Sequence, residues 1–177
     1  MTEKSSECDS CAQKGSCKDE KDVRAGGECD HKVDRMARVK HKIIIASGKG
    51  GVGKSTVTVN LARALQMKGF KVGILDADIT GPDIAKLLGI EEGRLMQGQD
   101  GILPVEADGI RAASMAFLLS SRDSPVVWRG PMKMAAIKQF IQDVDWGDLD
   151  FLLIDLPPGT ADEPLSVVQL IPGLAGA

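Results

Sequence analysis

Apolar and polar positions fall in blocks along the chain, and the texture of the blocks changes once, near Met36. Residues 1–35 carry sixteen charged side chains and, among the large apolar types, only Met1, Val23 and Val33. Such a segment buries too little apolar surface to offset its ordering entropy, so it reads as disordered in the absence of a ligand. After it come short continuous apolar runs, "HKIIIAS", "KVGILDAD" and "LDFLLID", the pattern of central strands covered on both faces. Between them, "KSTVTVNLARALQMKG" predicts a helix with Val57, Leu61, Ala64 and Leu65 on one face and Gly69 as its terminator. "GPDIAKLLG" predicts a short helix between Pro82 and Gly89. "GPMKMAAIKQFIQDV" predicts a longer one with Met132, Ala136, Phe140 and Val144 in one stripe, and "DEPLSVVQLI" begins another. "ILPVEADGIRAAS" has the form of a hairpin around Asp108-Gly109 that leads into a strand.

Strands alternating with helices predict an α/β fold, a mostly parallel sheet flanked by helices and joined by right-handed crossovers. About four main strands can be placed, fewer than open sheets of this kind usually have. The expectation is therefore a polar tail, residues 1–37, followed by a domain, residues 38–177, that is incomplete at its C-terminal end.

Composition narrows the function classes. The net charge of −3 gives no bulk electrostatic reason to expect nucleic acid or an anionic membrane as partner. Two Trp, four Phe and no Tyr argue against a base-stacking surface. No apolar run reaches the roughly 18 residues of a spanning helix, and the hydrophilic start lacks a secretory signal, so the cytoplasm is the expected compartment. Thiols stay reduced there, and closely spaced cysteines are read first as ligands. All four lie in the tail, as Cys8-x2-Cys11-x5-Cys17 and then Cys29. Thiolates so spaced wrap an iron–sulfur cluster or zinc; unliganded thiols are the third reading. His31 and His41 read as surface residues.

The strongest motif is "ASGKGGVGKST", Ala46 to Thr56. Gly48, Gly53, Lys54 and Ser55 satisfy G-x-x-x-x-G-K-[ST] between a predicted strand and a predicted helix. Glycines let backbone N–H groups approach phosphate oxygens, and the helix start adds unpaired donors and partial positive charge. Gly48, Lys49, Gly50, Gly51, Val52, Gly53, Lys54, Ser55 and Thr56 are thus the expected nucleotide contacts. Lys54 is suited to the β- and γ-phosphates, Ser55 to Mg²⁺ and Thr56 to the α-phosphate side. A strand-end carboxylate should complete the Mg²⁺ site, with Asp155 and the pair Asp76/Asp78 as candidates; capping of the following turns is the competing reading. Lys49 is one lysine more than this chemistry needs.

With Lys49, "GKGGVGKST" takes the deviant Walker A form. Together with "DADITGPD", "VVWRGPMKMAAIKQF" and "DLPPGTADEPLS" it closely resembles the Mrp/Nbp family of P-loop ATPases, from about Lys40 to Leu170. These are iron–sulfur cluster carriers related to the nitrogenase iron protein and to the MinD and ParA ATPases. "WRGPM" and Pro157-Pro158-Gly159-Thr160 resemble the carrier branch in particular. The resemblance implies ATP as the nucleotide, a homodimer, apo iron–sulfur proteins as clients, and no nucleic acid or membrane partner. It makes Lys49 a signature lysine reaching the nucleotide of a facing subunit. Asp76 and Asp78 become a first switch, with Asp78 orienting the attacking water. Asp155 becomes the Walker B acid, and the loop to Asp162 a second switch, where Ala161 replaces an expected glycine.

Lys49, Lys54, Asp78 and Asp155 are thereby the expected catalytic set, and Ser55, Asp76 and Asp155 the expected Mg²⁺ set. The Cys8, Cys11 and Cys17 spacing resembles the N-terminal [4Fe–4S] motif of Nbp-type members, whose fourth cysteine lies upstream; here Cys29 lies downstream. The family also continues past Ala177, with further strands, a base-recognition loop and a C-x-x-C pair. The competing functions are a membrane- or DNA-positioning ATPase of the MinD/ParA type, a nitrogenase-type electron donor, and a non-catalytic fragment of the carrier.

Overall fold

The computed structural model describes residues 35–78, 81–99, 101–118, 130–159 and 162–177. The four cysteines, His31, Trp128, Arg129, Thr160 and Ala161 lie outside the described residues, as do the side chains of Met132, Ala136 and Asp162.

A 3-10 turn, Arg35–Arg38, leads into β1 (Val39–Ile45). After the glycine loop come α1 (Lys54–Met67), β2 (Val72–Asp76) and the short α2 (Ile84–Leu88). A small ribbon, β3 (Met96–Gln97) and β4 (Ile102–Leu103), precedes the hairpin of β5 (Val105–Ala107) and β6 (Ile110–Ser114). Then follow α3 (Gly130–Asp143), β7 (Leu149–Asp155), α4 (Asp162–Leu170) and β8 (Leu174–Gly176). The hairpin turns where expected: Asp108 and Gly109 have φ of 50° and 76°, the left-handed pair that a two-residue turn matching strand twist requires.

Six strands form one sheet in the order β5-β6-β2-β7-β1-β8, parallel except for β5. The crossover from β1 through α1 to β2 leaves one strand position open between them, and β7 fills it. β8 is an addition to the expected strands. "LAG" holds a single large apolar residue and is strand only because β1 offers it an edge to pair with.

Each face of the sheet carries a core. On one, Ile44, Leu75, Leu152 and Ile154 pack with Ile137, Phe140 and Ile141 of α3, Val167 of α4, Val144 and Trp146. On the other, Val72, Ile74, Ile110, Ala112 and Leu153 pack with Val59 and Ala62 of α1 and Ile84 and Leu88 of α2. Consecutive residues of β2 and β7 thus feed opposite cores, which is why both strands read as unbroken apolar runs.

The α1 stripe differs from expectation. Val57 is 58% exposed and Leu61 37%, whereas Thr58, Val59 and Ala62 are buried and Leu65 is half-buried. The rotation follows from Thr58, a polar residue in the buried stripe whose hydroxyl finds its partners under the helix.

Candidate nucleotide site

The C-terminal edge of the sheet lines up the chemistry. Parallel register sets Ile45 beside Asp155, Asp155 beside Asp76, and Asp76 beside Ser114. Past the strand ends, Ala77 N–H donates to Asp155 O at 2.9 Å, Leu156 N–H to Ile45 O at 3.1 Å and Gly159 N–H to Ser47 O at 2.8 Å. Three connections that are distant in sequence are thereby tied together at one place.

The glycine loop enters α1 through Gly53, whose φ of 88° is left-handed and whose carbonyl accepts the first helical bond, from Val57 N–H at 2.9 Å. A Cβ at that φ costs about 1–2 kcal/mol, which is the reason for glycine here. The turn delivers Lys54 and Ser55 onto one oxygen. Lys54 Nζ and Ser55 Oγ each donate to Asp155 Oδ2 at 2.6 Å. Thr58 Oγ1 lies 2.8 Å from Asp155 Oδ1 and 3.0 Å from Lys54 O. The Lys54 and Asp155 side chains are 7% and 1% exposed, so this is a buried ion pair, and such a pair is tolerated where hydrogen bonds satisfy the carboxylate, as here.

In front of the pair lies a cavity of about 370 Å³ lined by Ser47, Lys49, Gly50, Gly51, Gly53, Lys54, Ser55 and Thr56 of the loop and helix start. Asp78, Gly81, Asp83, Lys86, Leu87 and Pro158 form the rest of its wall. The expected loop residues Gly48 and Val52 are exposed beside it rather than among its lining residues. Asp78 is placed at the cavity, and its Oδ1 accepts from Gly81 N–H at 3.1 Å.

Asp76 sits differently. It is fully buried and does not line the cavity; Ser114 Oγ donates to its Oδ2 at 2.9 Å and Asp78 N–H to its Oδ1 at 3.1 Å. Burial pushes its carboxyl up to about 7, opposed by the Ser114 hydrogen bond and helped by the neighbouring Asp155 charge. Of the expected Mg²⁺ set, Ser55 and Asp155 converge, two hard oxygen donors at one point, and they fit that ion. Asp76 stands one strand away, behind Asp78. Among the described residues no group of three or more His, Cys, Asp or Glu forms a metal cluster.

Two participants escaped the sequence reading, Thr58 and Ser114. The first sits one helical turn after Lys54 and the second ends a strand beside Asp76. Small hydroxyls one turn past a phosphate loop or at a strand end are weak signals, because most such residues only cap turns.

A lysine from a glycine loop paired with the end of a strand inserted beside it, in a parallel sheet of this order, belongs to the P-loop NTPases, and this chain is one of them. Within that class, residues 38–177 match the family described as the NUBPL iron-transfer P-loop NTPase, and the chain belongs to it. It is 54% identical over 179 residues to the iron-sulfur cluster carrier protein of Methanocaldococcus jannaschii, covering 100% of this chain and 61% of that protein. It is 48% identical over 166 residues to a cytosolic Fe-S cluster assembly factor NUBP1 homolog of Brugia malayi, covering 93% of this chain and 54% of that one. A solved nucleotide-binding protein of Archaeoglobus fulgidus in complex with ADP superposes with a TM-score of 0.69 at 45% identity, over 77% of this chain and 52% of that chain. The chain therefore spans between half and about three-fifths of the length of these relatives.

Proposed function

We propose that the protein binds and hydrolyses ATP with Mg²⁺ and uses that cycle to load iron–sulfur clusters and pass them to apoproteins. The observation that carries the nucleotide part is the convergence of Lys54 and Ser55 on Asp155 at the floor of a cavity walled by loop glycines. The names of the relatives support the cluster part.

In this reading the loop N–H groups and the start of α1 bind the phosphates, and Lys54 exchanges Asp155 for the β- and γ-phosphate oxygens. Ser55 and Asp155 would hold Mg²⁺, which would neutralise charge on the phosphates. Thr58 keeps Asp155 aimed when Lys54 leaves it. Asp78, at the cavity wall, orients the attacking water, and Asp76 holds the Asp78 backbone from behind. Lys49, exposed at the cavity mouth, is free to serve a second copy of the chain, so turnover needs a homodimer. Residues 1–37 form the cluster-binding tail, with Cys8, Cys11, Cys17 and Cys29 as ligands of a [4Fe–4S] cargo, and residues 38–177 form the ATPase domain. The protein acts in the cytoplasm, a reading supported by the name of the Brugia malayi relative, a cytosolic assembly factor.

The test is anaerobic reconstitution followed by iron, acid-labile sulfide and zinc analysis, then transfer to an apo [4Fe–4S] enzyme with and without ATP. About four iron and four sulfide per cluster, with acceptor activity that rises faster with ATP, is the expected result. Zinc alone, or transfer indifferent to ATP while Mg-ATP is hydrolysed, would refute the carrier reading. A melting temperature unmoved by Mg-ATP would instead mark a fragment without a working nucleotide site.

A further inference from the structure

α2 lies outside the phosphate-loop motif, yet it walls the same cavity. Ile84 and Ala85 are 0% and 4% exposed and Leu88 is 8%, so the apolar side of this short helix is fixed in the core. That leaves Lys86 and Leu87 on its open side, and both line the cavity together with Lys54 and Ser55. The helix is held on two sides. Arg63 of α1 donates to Leu87 O at 3.5 Å, and Gly81 N–H, just before α2, donates to Asp78 Oδ1 at 3.1 Å.

The cations of the cavity are not equivalent. Lys54 is buried against Asp155, whereas no ion pair among the described residues involves Lys86. A fixed helix therefore presents an ammonium to a cavity already provided with phosphate-binding N–H groups. Asp78, to which the nucleotide reading gives the attacking water, lines this same cavity with Lys86 and is tied to the segment before α2 through Gly81 N–H.

Resting on the nucleotide reading above, we propose that Lys86 is a further nucleotide-binding residue, contacting the terminal phosphate of a nucleoside triphosphate. Its contact distinguishes triphosphate from diphosphate. The short Asp78–Gly81–α2 connection then carries the presence of that phosphate to the side chain that orients water.

Calorimetric titration of the full 177-residue chain with ADP and with a non-hydrolysable ATP analogue, both with Mg²⁺, tests this for wild type, Lys86→Ala and Lys86→Arg. Lys86→Ala should weaken the analogue about tenfold, as loss of a charged contact at a solvent-open wall does, and leave ADP within about twofold. Lys86→Arg should restore the analogue affinity. Equal losses for both nucleotides, or no loss for either, would overturn the role of Lys86. Failure of the wild type to bind either would overturn the nucleotide reading itself, and this proposal with it.

Discussion

Replacing Asp76 by Asn should change how the stability of the fold depends on pH, and the size of the change follows from burial. The Asp76 carboxyl stands at about 7 in the fold against 3.8 in an unfolded chain, with desolvation the main cause. Between those values the native state holds a proton that the unfolded state has released, so stability falls as pH rises through this window and is level above it. At about 1.36 kcal/mol per pH unit, the charged form costs the fold roughly 4 kcal/mol above pH 7. Asn keeps an oxygen for Ser114 or for Asp78 N–H and carries no charge. Asp76→Asn should therefore be less stable than or equal to wild type near pH 4 and more stable at pH 8. Asp148 and Asp150, whose carboxyls their Arg38 and Lys40 hydrogen bonds hold below the usual range, give the opposite slope, but equally in both proteins. Urea unfolding at pH 4.5 and 8, with chelator and without nucleotide, reads the difference between the two proteins. If that difference is the same at both values, Asp76 is already ionised in the fold and the argument from burial fails.

Lys49→Ala should abolish ATP turnover while leaving some ATP binding; unchanged turnover in a steady-state assay would remove the dimer argument. Thr58→Val leaves Asp155 Oδ1 without its hydroxyl donor and should cost about 1–3 kcal/mol in urea unfolding, with Thr58→Ser much closer to wild type. Gly73→Ala would set a Cβ 2.6 Å from Leu149 Cδ1 and 3.1 Å from Trp146 Cε3, both in a packed core. Overpacking of that kind should lower stability by about 1–3 kcal/mol, and a thermal midpoint equal to wild type would show that Leu149 has room to move.

Much of the site was legible in the chain itself. The strand that feeds the glycine loop, the loop, its lysine and its serine are consecutive in the chain, from Val39 to Ser55, so local chemistry specifies them. The strand-end carboxylate for Mg²⁺ was legible from the residues only as Asp155 or the pair Asp76/Asp78, and the resemblance alone singled out Asp155. Asp76 and Asp78 follow an apolar run just as Asp155 does, and nothing local says which reaches Lys54. The strand order decides it: β7 lies between β1 and β2, so Asp155 meets Lys54, while Asp76 is left to Ser114.

The helix face shows the same division. Counting apolar residues gave Val57 and Leu61 to the interior, but α1 turns to bring Thr58 over Asp155, a contact spanning 97 residues of chain. By itself the sequence determined the elements whose causes are local: the phosphate loop, the Asp108-Gly109 turn, the end of α2 at Gly89 and the apolar runs of β1, β2 and β7. Only the tertiary structure decided the order of the strands, the rotation of α1, the pairing of β8 and the burial of Asp76. Turn geometry and periodicity act between residues a few positions apart. Pairing and desolvation act between residues a hundred positions apart, and they exist only once the sheet has closed around them.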